Sequence, residues 1–325
     1  MNLALVLASL LFVLAACEGG IRLLQWSGQL PVYNKKSIDK GETPNRHLNA
    51  RLVRSDNPVL FMEYDRNDPN INNAGFRGPD FTVAKTPGTT RIAILGDSVA
   101  YGYSVAYEDT FAARLAQQLN ARGNGLVEVL NFAVSGYSTI AELELYKTRV
   151  REYDPDIVLL AYVLNDPLPA AFVVQSVGAA RQQVDLFKVL SRYSQLGAWA
   201  YLRWQKLVQP FDRQRNYRSM YSNPESWQRT VAALAELQQL VRDDGAQLYA
   251  VVFPLLLDFG QYPMQDIHAQ VNGALAQLGI PHIDLLDDYR QIPYLELRPH
   301  PNDDTHPNAR GHAIAAGRIA GLLRP

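Results

Sequence analysis

The sequence predicts an α/β fold of three layers, α/β/α, built on a doubly wound parallel sheet of five strands with a helical insertion. From residue 90 onward, short apolar runs alternate with amphipathic helical patterns, which is the order of elements in a parallel sheet covered by helices. The runs are dense in Val, Ile and Leu, as expected of strands that are buried on both faces. We place the strands at Arg91–Leu95, Val127–Phe132, Asp156–Val163, Gln247–Phe253 and Pro281–Leu285.

Two helices between these strands are marked by apolar spacing. Apolar residues spaced four apart begin at Phe111, and Asp109 or Thr110 stands where a helix cap is expected. A second helix is predicted over residues 226–243, with an apolar stripe along one side.

The last helix is predicted over residues 309–323. Pro307 suits a first helical turn, because a proline there gives up no helical hydrogen bond. Asp304 or Thr305 would then cap the helix.

Composition narrows the classes of function. The chain has 325 residues with 31 basic and 32 acidic side chains, and this balance disfavours nucleic acid as a partner. The one cysteine, Cys17, excludes an intrachain disulfide. The histidines are scattered without the spacing of a zinc site, so we expect neither a metal nor a cofactor.

The N-terminal segment, residues 1–26, is predicted to direct export rather than to form a buried helix of a globular domain, because its apolar run leaves almost no polar face. Residues 3–17 are an unbroken apolar run that ends in Leu-Ala-Ala-Cys, which resembles a lipoprotein cleavage box and would place a lipid on Cys17. No Lys or Arg precedes the run, however, and a signal peptide usually has a basic start. The alternative, which we favour, is an uncleaved signal anchor that extends to Trp26. Either interpretation ties the protein to a membrane, with the rest outside the cytoplasm, in a bacterial periplasm or at the cell surface.

Three further segments follow the export segment. Residues 27–88 are rich in Asn, Asp, Pro and Arg and are predicted to be a spacer and an irregular lead-in. Residues 89–325 form the predicted α/β domain. Within that domain, residues 168–225 form an aromatic insertion, which we expect to be helical and to cap the carboxyl edge of the sheet.

A candidate nucleophile follows the first long strand, in Gly96-Asp97-Ser98. A serine at a strand-to-helix turn holds its hydroxyl at the sheet edge, beside a helix N-terminus that stabilises negative charge. The alternative is that the tripeptide is only a turn.

A histidine with a carboxylate three residues before it precedes the last helix. Asp303 on a tight turn would accept a hydrogen bond from Nδ1 of His306, which leaves Nε2 free to take a proton from a serine. Asp304, two residues before the histidine, is the second candidate for the carboxylate. The alternative is that this segment is no more than the start of a capped helix.

Two candidate oxyanion donors follow the second and third long strands. Gly136 would let a backbone N–H approach a ligand, and Asn165 carries an amide that can donate to a developing oxyanion. A turn glycine and a helix cap are the alternatives. Both residues follow strands, so both belong at the same edge as Ser98.

Taken in this order, these blocks resemble the SGNH hydrolase family, also called GDSL esterases, over roughly residues 90–325. The resemblance implies a flavodoxin-like sheet order. It also implies a triad of Ser98, Asp303 and His306, and an oxyanion hole formed by the N–H groups of Ser98 and Gly136 and the amide of Asn165.

Two features modify the resemblance. The usual Gly-x-Asn-Asp has Val163 in place of its glycine, and the leucine of Gly-Asp-Ser-Leu is Val99. The upstream Gly75-Phe76-Arg77-Gly78 looks like the lead-in of the membrane-anchored bacterial branch of the family.

The resemblance implies a serine esterase or acylhydrolase that acts through an acyl-enzyme on a small-molecule, glycan or lipid ester. One alternative is an O-acetyltransferase of exported polysaccharide, and another is a non-catalytic glycan-binding domain. The remaining histidines receive structural interpretations: His312 belongs to the last helix, and no partner can be identified for His268.

Overall fold

The structure, a computed structural model, describes residues 3–30, 48–123, 125–167, 193–200, 203, 217–301 and 303–323. The chain divides into two units, one of Met1–Thr43 with Val177–Gln214 and the other of Pro44–Ser176 with Arg215–Pro325. The second unit holds the sheet.

The strands of the described residues are β1 (Leu52–Arg54), β2 (Met62–Tyr64), β3 (Thr89–Gly96), β4 (Leu126–Asn131), β5 (Ile157–Val163), β6 (Gln247–Phe253) and β7 (His282–Asp284). Five of them form a parallel sheet in the order β4-β3-β5-β6-β7. This is the flavodoxin-like order, so the predicted fold class and all five predicted strands are confirmed.

From β3 the chain first adds β4 on one side and then adds β5, β6 and β7 on the other. The switch point of the winding therefore lies between β3 and β5. Ligands bind at the carboxyl edge of such a sheet, beside this point. The interior of β3 and β5 is apolar and fully buried, because helices cover both faces.

The described helices are α1 (Leu3–Trp26), α2 (Ser98–Tyr101), α3 (Phe111–Ala121), α4 (Thr139–Thr148), α5 (Pro224–Asp243), α6 (Gln265–Gln277), α7 (Leu286–Tyr289) and α8 (Ala309–Leu322). In the larger unit, α3 packs on α8, and α4 packs on α5. Since parallel crossovers are right-handed, the first pair covers one face of the sheet and the second covers the other.

The observed N-caps agree with the predicted cap of α3 and correct the predicted cap of α8. The hydroxyl of Thr110 caps α3, as predicted, by accepting from the N–H of Ala113. The predicted cap of α8 at Asp304 or Thr305 was wrong: Asn308 caps that helix and Pro307 precedes it. Asparagine caps as well as aspartate, and here it stands directly before the first helical residue. The preceding residues are therefore free to form the turn that carries His306.

The described part of the lead-in, residues 48–88, is more ordered than predicted. β1 and β2 form an antiparallel pair, and Phe76 and Tyr64 are buried in the core of the sheet domain. The remaining spacer, residues 31–47, lies outside the described residues.

The aromatic insertion is described only in part. Residues 168–192, 201–202 and 204–216 lie outside the described residues. Residues 217–222 are helical, and the hydroxyl of Tyr221 lies 2.9 Å from that of Tyr162 near the carboxyl end of β5. In this part of the insertion, the aromatic residues belong to the core.

The smaller unit contains α1 and a short helix over residues 195–200. Ala8–Trp26 of α1 is long and apolar enough to cross a membrane, with a mean hydropathy of 1.4. The carboxylate of Glu18 accepts from the N–H groups of Gln195 and Leu196, so an acidic side chain of α1 caps the short helix.

Candidate active site

Ser98 begins α2, directly after β3 ends at Gly96. The carboxylate of Asp97 caps this short helix by accepting from the N–H of Val99 at 2.8 Å. Gly96 allows the tight turn, because a Cβ there would lie 2.6 Å from the Cβ of Ala100. Ser98 is thus held, half-buried, at the carboxyl edge of the sheet.

The side chains of Ser98, His306 and Asp303 form a chain of hydrogen bonds. Nε2 of His306 lies 2.9 Å from Oγ of Ser98, and Nδ1 lies 2.9 Å from Oδ2 of Asp303. With Nδ1 donating to the carboxylate, Nε2 presents a lone pair to the serine hydroxyl. The arrangement can therefore move the serine proton to the imidazole.

Asp303, rather than Asp304, faces the imidazole. Burial raises the pKa of the Asp303 carboxyl, but the hydrogen bonds from His306 and Thr305 and the charge of His306 more than offset it and hold the pKa below its ordinary value. The carboxylate of Asp304 instead accepts from the hydroxyl of Thr305.

A second hydrogen-bonded histidine supports the loop after β6, which contacts the turn of His306. Nδ1 of His268 lies 2.7 Å from Asp284, and its Nε2 lies 3.2 Å from the hydroxyl of Tyr262. That hydroxyl accepts from the N–H of Leu255, and the next residue, Leu256, donates to the carbonyl of Asp304. This network was not predictable from the sequence, because its partners come from separate elements.

The loop after β4 presents Gly136 with φ of 86°, a left-handed conformation that suits glycine. The loop is fixed from the lead-in, since the buried hydroxyl of Tyr64 accepts from the N–H of Ser135 at 2.9 Å. The Tyr64 hydroxyl also lies 2.8 Å from the hydroxyl of Ser135. Tyr64 is not marked by any motif in the sequence.

Asn165 follows β5 and turns its amide toward Asp97. Nδ2 of Asn165 donates to Oδ2 of Asp97 at 2.9 Å. The opposite orientation would set the amide oxygen against a carboxylate, so this hydrogen bond fixes which way the amide points. Nδ2 keeps a second hydrogen available for a ligand.

Two more acidic side chains are fully buried behind the site. Asp166 accepts from the hydroxyl of Thr139, and burial together with the charge of Asp97 raises the pKa of Asp166 well above its ordinary value. Glu142 finds no hydrogen-bond partner for either oxygen among the described residues. Burial and the charges of Asp166 and Asp97 raise the pKa of Glu142 well above its usual range.

Arg77 of the lead-in braces the segment after Ser98. Its guanidinium is buried and donates to the carbonyls of Tyr101, Gly102 and Val105. Burial lowers the pKa of Arg77, although a guanidinium remains charged at every pH of interest.

The sequence motifs thus meet at one edge of the sheet. The structure brings Ser98, His306 and Asp303 into direct contact and places Gly136 and Asn165 after the neighbouring strands. Cys17 is exposed on α1, in the other unit. No group of three or more metal-ligating side chains occurs in the described parts of the chain.

Comparison with known proteins gives a family. Residues 94–314, more than half of the chain, match the model of the GDSL-like lipase/acylhydrolase family. No curated protein matches the sequence.

Solved structures of similar fold have low sequence identity. The lipase Lip_vut3 from a goat rumen metagenome is 17% identical with a TM-score of 0.47, and the alignment covers 72% of this chain and 97% of that one. TesA is 15% identical with a TM-score of 0.45, covering 73% and 99%. The acetylxylan esterase Axe2 from Geobacillus stearothermophilus is 15% identical with a TM-score of 0.47, covering 72% and 93%. Because these identities and scores are low, the assignment rests on the family match: the chain belongs to the GDSL-like lipase/acylhydrolase family and is a serine ester hydrolase.

Proposed function

We propose that the protein hydrolyses carboxylic esters through an acyl-enzyme on Ser98, with His306 as general base and Asp303 as its partner. The observation that carries the proposal is the continuous chain of hydrogen bonds from Oγ of Ser98 through the imidazole to Asp303. A serine hydroxyl is a weak nucleophile unless such a base takes its proton.

The first step is attack on the ester carbonyl. As Oγ of Ser98 bonds to the carbonyl carbon, its proton moves to Nε2 of His306, and the carbonyl oxygen becomes an oxyanion. Asp303 holds the imidazole in the required tautomer and stabilises the imidazolium that forms. Collapse of the intermediate expels the alcohol, which takes the proton from Nε2.

The oxyanion needs donors that are already in place. We assign this role to the N–H groups of Ser98 and Gly136 and the free amide hydrogen of Asn165. The Asp97 carboxylate supports this assignment because it holds the Asn165 amide with nitrogen toward the site. Loss of one such donor typically lowers kcat by roughly 10²–10³.

The second step is hydrolysis of the acyl-enzyme, in which water is the nucleophile and Ser98 is the leaving group. Water enters, gives a proton to Nε2 of His306 and attacks the acyl carbon, and Ser98 leaves with that proton. If a sugar hydroxyl took the place of water, the same residues would perform acyl transfer. We propose hydrolysis of acyl groups on glycans or of lipid esters, the substrate classes named by the family and by esterase neighbours such as Axe2.

We propose that α1 remains as an uncleaved anchor and that the hydrolase domain lies outside the cytoplasm. The continuity of the helix through Cys17 to Trp26 supports an anchor that extends past the cleavage box. Mass spectrometry of the membrane-bound protein tests this. An intact N-terminus is expected, whereas a chain that begins at a diacylated Cys17 would contradict the anchor.

Covalent labelling tests the nucleophile. The full-length protein in detergent should react with a fluorophosphonate probe, and Ser98→Ala should abolish the reaction. His306→Ala should slow it by orders of magnitude. Asp304→Asn is the matched control for Asp303→Asn, because Asp303 accepts from Nδ1 of the imidazole whereas the Asp304 carboxylate accepts from the hydroxyl of Thr305. Labelling that persists in Ser98→Ala would contradict the proposal that Ser98 is the nucleophile.

Substrate assays follow from a positive result. A series of p-nitrophenyl esters from acetate to long acyl chains defines the acyl group. An oligosaccharide with a labelled acetyl group, incubated with a second glycan that carries no label, then separates hydrolysis from transfer. Hydrolysis, the expected result, releases labelled acetate. Label on the second glycan would show transfer instead.

A further inference from the structure

Tyr103 lies against the imidazole of His306. The two ring centroids are 4.5 Å apart and the rings are tilted by 33°. The tyrosine is half-buried and belongs to the segment that follows α2, so the contact joins the nucleophile's segment to the histidine's loop.

The turn that carries Tyr103 has an unusual backbone. Gly102 before it and Ser104 after it both have positive φ, 81° and 65°. A Cβ on Gly102 would lie 2.3 Å from Cγ2 of Thr110, so only glycine fits. A left-handed serine costs on the order of 1 kcal/mol, and such strain collects where function requires it.

The turn is braced on several sides. Its Tyr103 N–H donates to the carbonyl of Ser98 at 3.0 Å, and the Ser104 N–H donates to Oδ1 of Asn49 at 3.1 Å. Arg77 donates to the carbonyls of Gly102 and Val105 at 2.6 and 2.7 Å. These hydrogen bonds fix the backbone of the turn, and with it the point from which the Tyr103 side chain extends toward His306.

We propose that Tyr103 is a positioning residue of the active site: its ring holds the His306 imidazole in line with Ser98 and stabilises the imidazolium that forms during catalysis. This inference rests on the proposed function, since it assigns His306 the role of general base. The electron-rich face of a tyrosine ring attracts a cation, and the attraction increases when water is excluded.

The proposal distinguishes the ring of Tyr103 from its hydroxyl. Contact and attraction both come from the ring, so Tyr103→Phe should keep them. Tyr103→Ala and Tyr103→Leu should lose them, and leucine largely fills the volume. The matched control is Tyr249→Ala, which removes a half-buried tyrosine near the amino end of β6, at the opposite edge of the sheet.

The experiment uses the full-length protein in detergent, with fluorophosphonate labelling rates, ester kinetics and thermal melting for each variant. We expect Tyr103→Phe and Tyr249→Ala to stay within about twofold of wild type in kcat. We expect Tyr103→Ala and Tyr103→Leu to lose roughly three- to tenfold in kcat and labelling rate, with a smaller change in KM.

The outcomes separate the two proposals. Unlabelled wild type would overturn the proposed function and this inference with it. Labelled wild type with equally fast Tyr103→Ala and Tyr103→Leu would overturn the inference alone. So would a Tyr103→Phe variant as slow as Tyr103→Ala, because the hydroxyl rather than the ring would then be required.

Discussion

Nδ2 of Asn165 lies 2.9 Å from Oδ2 of Asp97, a carboxylate with no exposed surface. The same carboxylate caps the helix of Ser98, so one buried group positions both the proposed nucleophile and a proposed oxyanion donor. Burial raises the pKa of Asp97, and the hydrogen bonds from Asn165 and Val99 oppose that rise.

Asp97→Asn should therefore impair the oxyanion hole. The Asp97 carboxylate uses one oxygen for Val99 and the other for Asn165. An asparagine has only one such oxygen, so its NH2 group would face one of these two donors. We expect kcat to fall by about 10²–10³, as for the loss of an oxyanion donor. Steady-state ester kinetics measure the change.

A double-mutant cycle shows whether Asp97 acts through Asn165. In an Asn165→Ala background, Asp97→Asn should cost much less than in wild type, because the amide it orients is gone. Equal costs in both backgrounds would mean that Asp97 supports Ser98 alone.

Tyr64→Phe should weaken the loop of Gly136. The change leaves the N–H of Ser135 without its acceptor, which costs about 1–3 kcal/mol in the free energy of unfolding where that group stays dry. We also expect lower kcat, because the loop carries a proposed oxyanion donor. The comparison is Tyr146→Phe, whose hydroxyl donates to Asp244 outside the site. If both variants keep full kcat, Tyr64 serves stability only.

The fold could be predicted from the sequence because its signals are local. Runs of Val, Ile and Leu identify strands buried on both faces, and the five predicted strands agree with β3 to β7 within a few residues. The motif residues were also predictable, since Ser98, Gly136 and Asn165 each follow a strand and parallel strands end at one edge.

The supports of the site were not predictable. Tyr64, Arg77 and His268 act through contacts with residues of other elements. Arg77 belongs to a motif noted in the sequence, but that motif does not identify its contacts, and no pattern marks Tyr64 or His268. The cap of α8 was misplaced for a different reason. Several capping residues stand together there, and propensity alone does not choose among Asp304, Thr305 and Asn308.

Glu142→Gln should stabilise the protein increasingly as pH rises. The pKa of Glu142 is raised in the folded state, so its contribution to stability is complete below the unfolded pKa of about 4.5 and is lost as pH rises toward the folded value. Glutamine resembles the protonated acid and cannot ionise. Urea unfolding between pH 5 and pH 9 measures the difference in free energy of unfolding between the two proteins. This range lies above the unfolded pKa, where the raised folded pKa predicts that the difference grows with pH. A difference that does not change with pH would contradict a raised pKa of Glu142 in the folded state.

His312→Asn should show the opposite dependence on pH. His312 is fully buried, its Nδ1 accepts from the N–H of Phe111, and its Nε2 finds no partner in the part of the chain that is described. Burial, with the nearby charges of Arg77, His306 and Arg114, lowers the pKa of His312 to about 3. Because the folded value lies below the unfolded one, the unfolded chain binds the extra proton, and stability is lost as pH falls from about 6.5 toward 3.

Oδ1 of an asparagine can take the place of Nδ1 and cannot be protonated in this range. The variant should be less stable than wild type near pH 7, because it loses the ring that stacks on Phe111 at 5.9 Å. Its free energy of unfolding should then fall less steeply below about pH 6.5, so that the two curves converge in acid. Denaturant unfolding at several pH values measures both curves, and parallel curves would show that His312 does not govern the acid sensitivity of the fold.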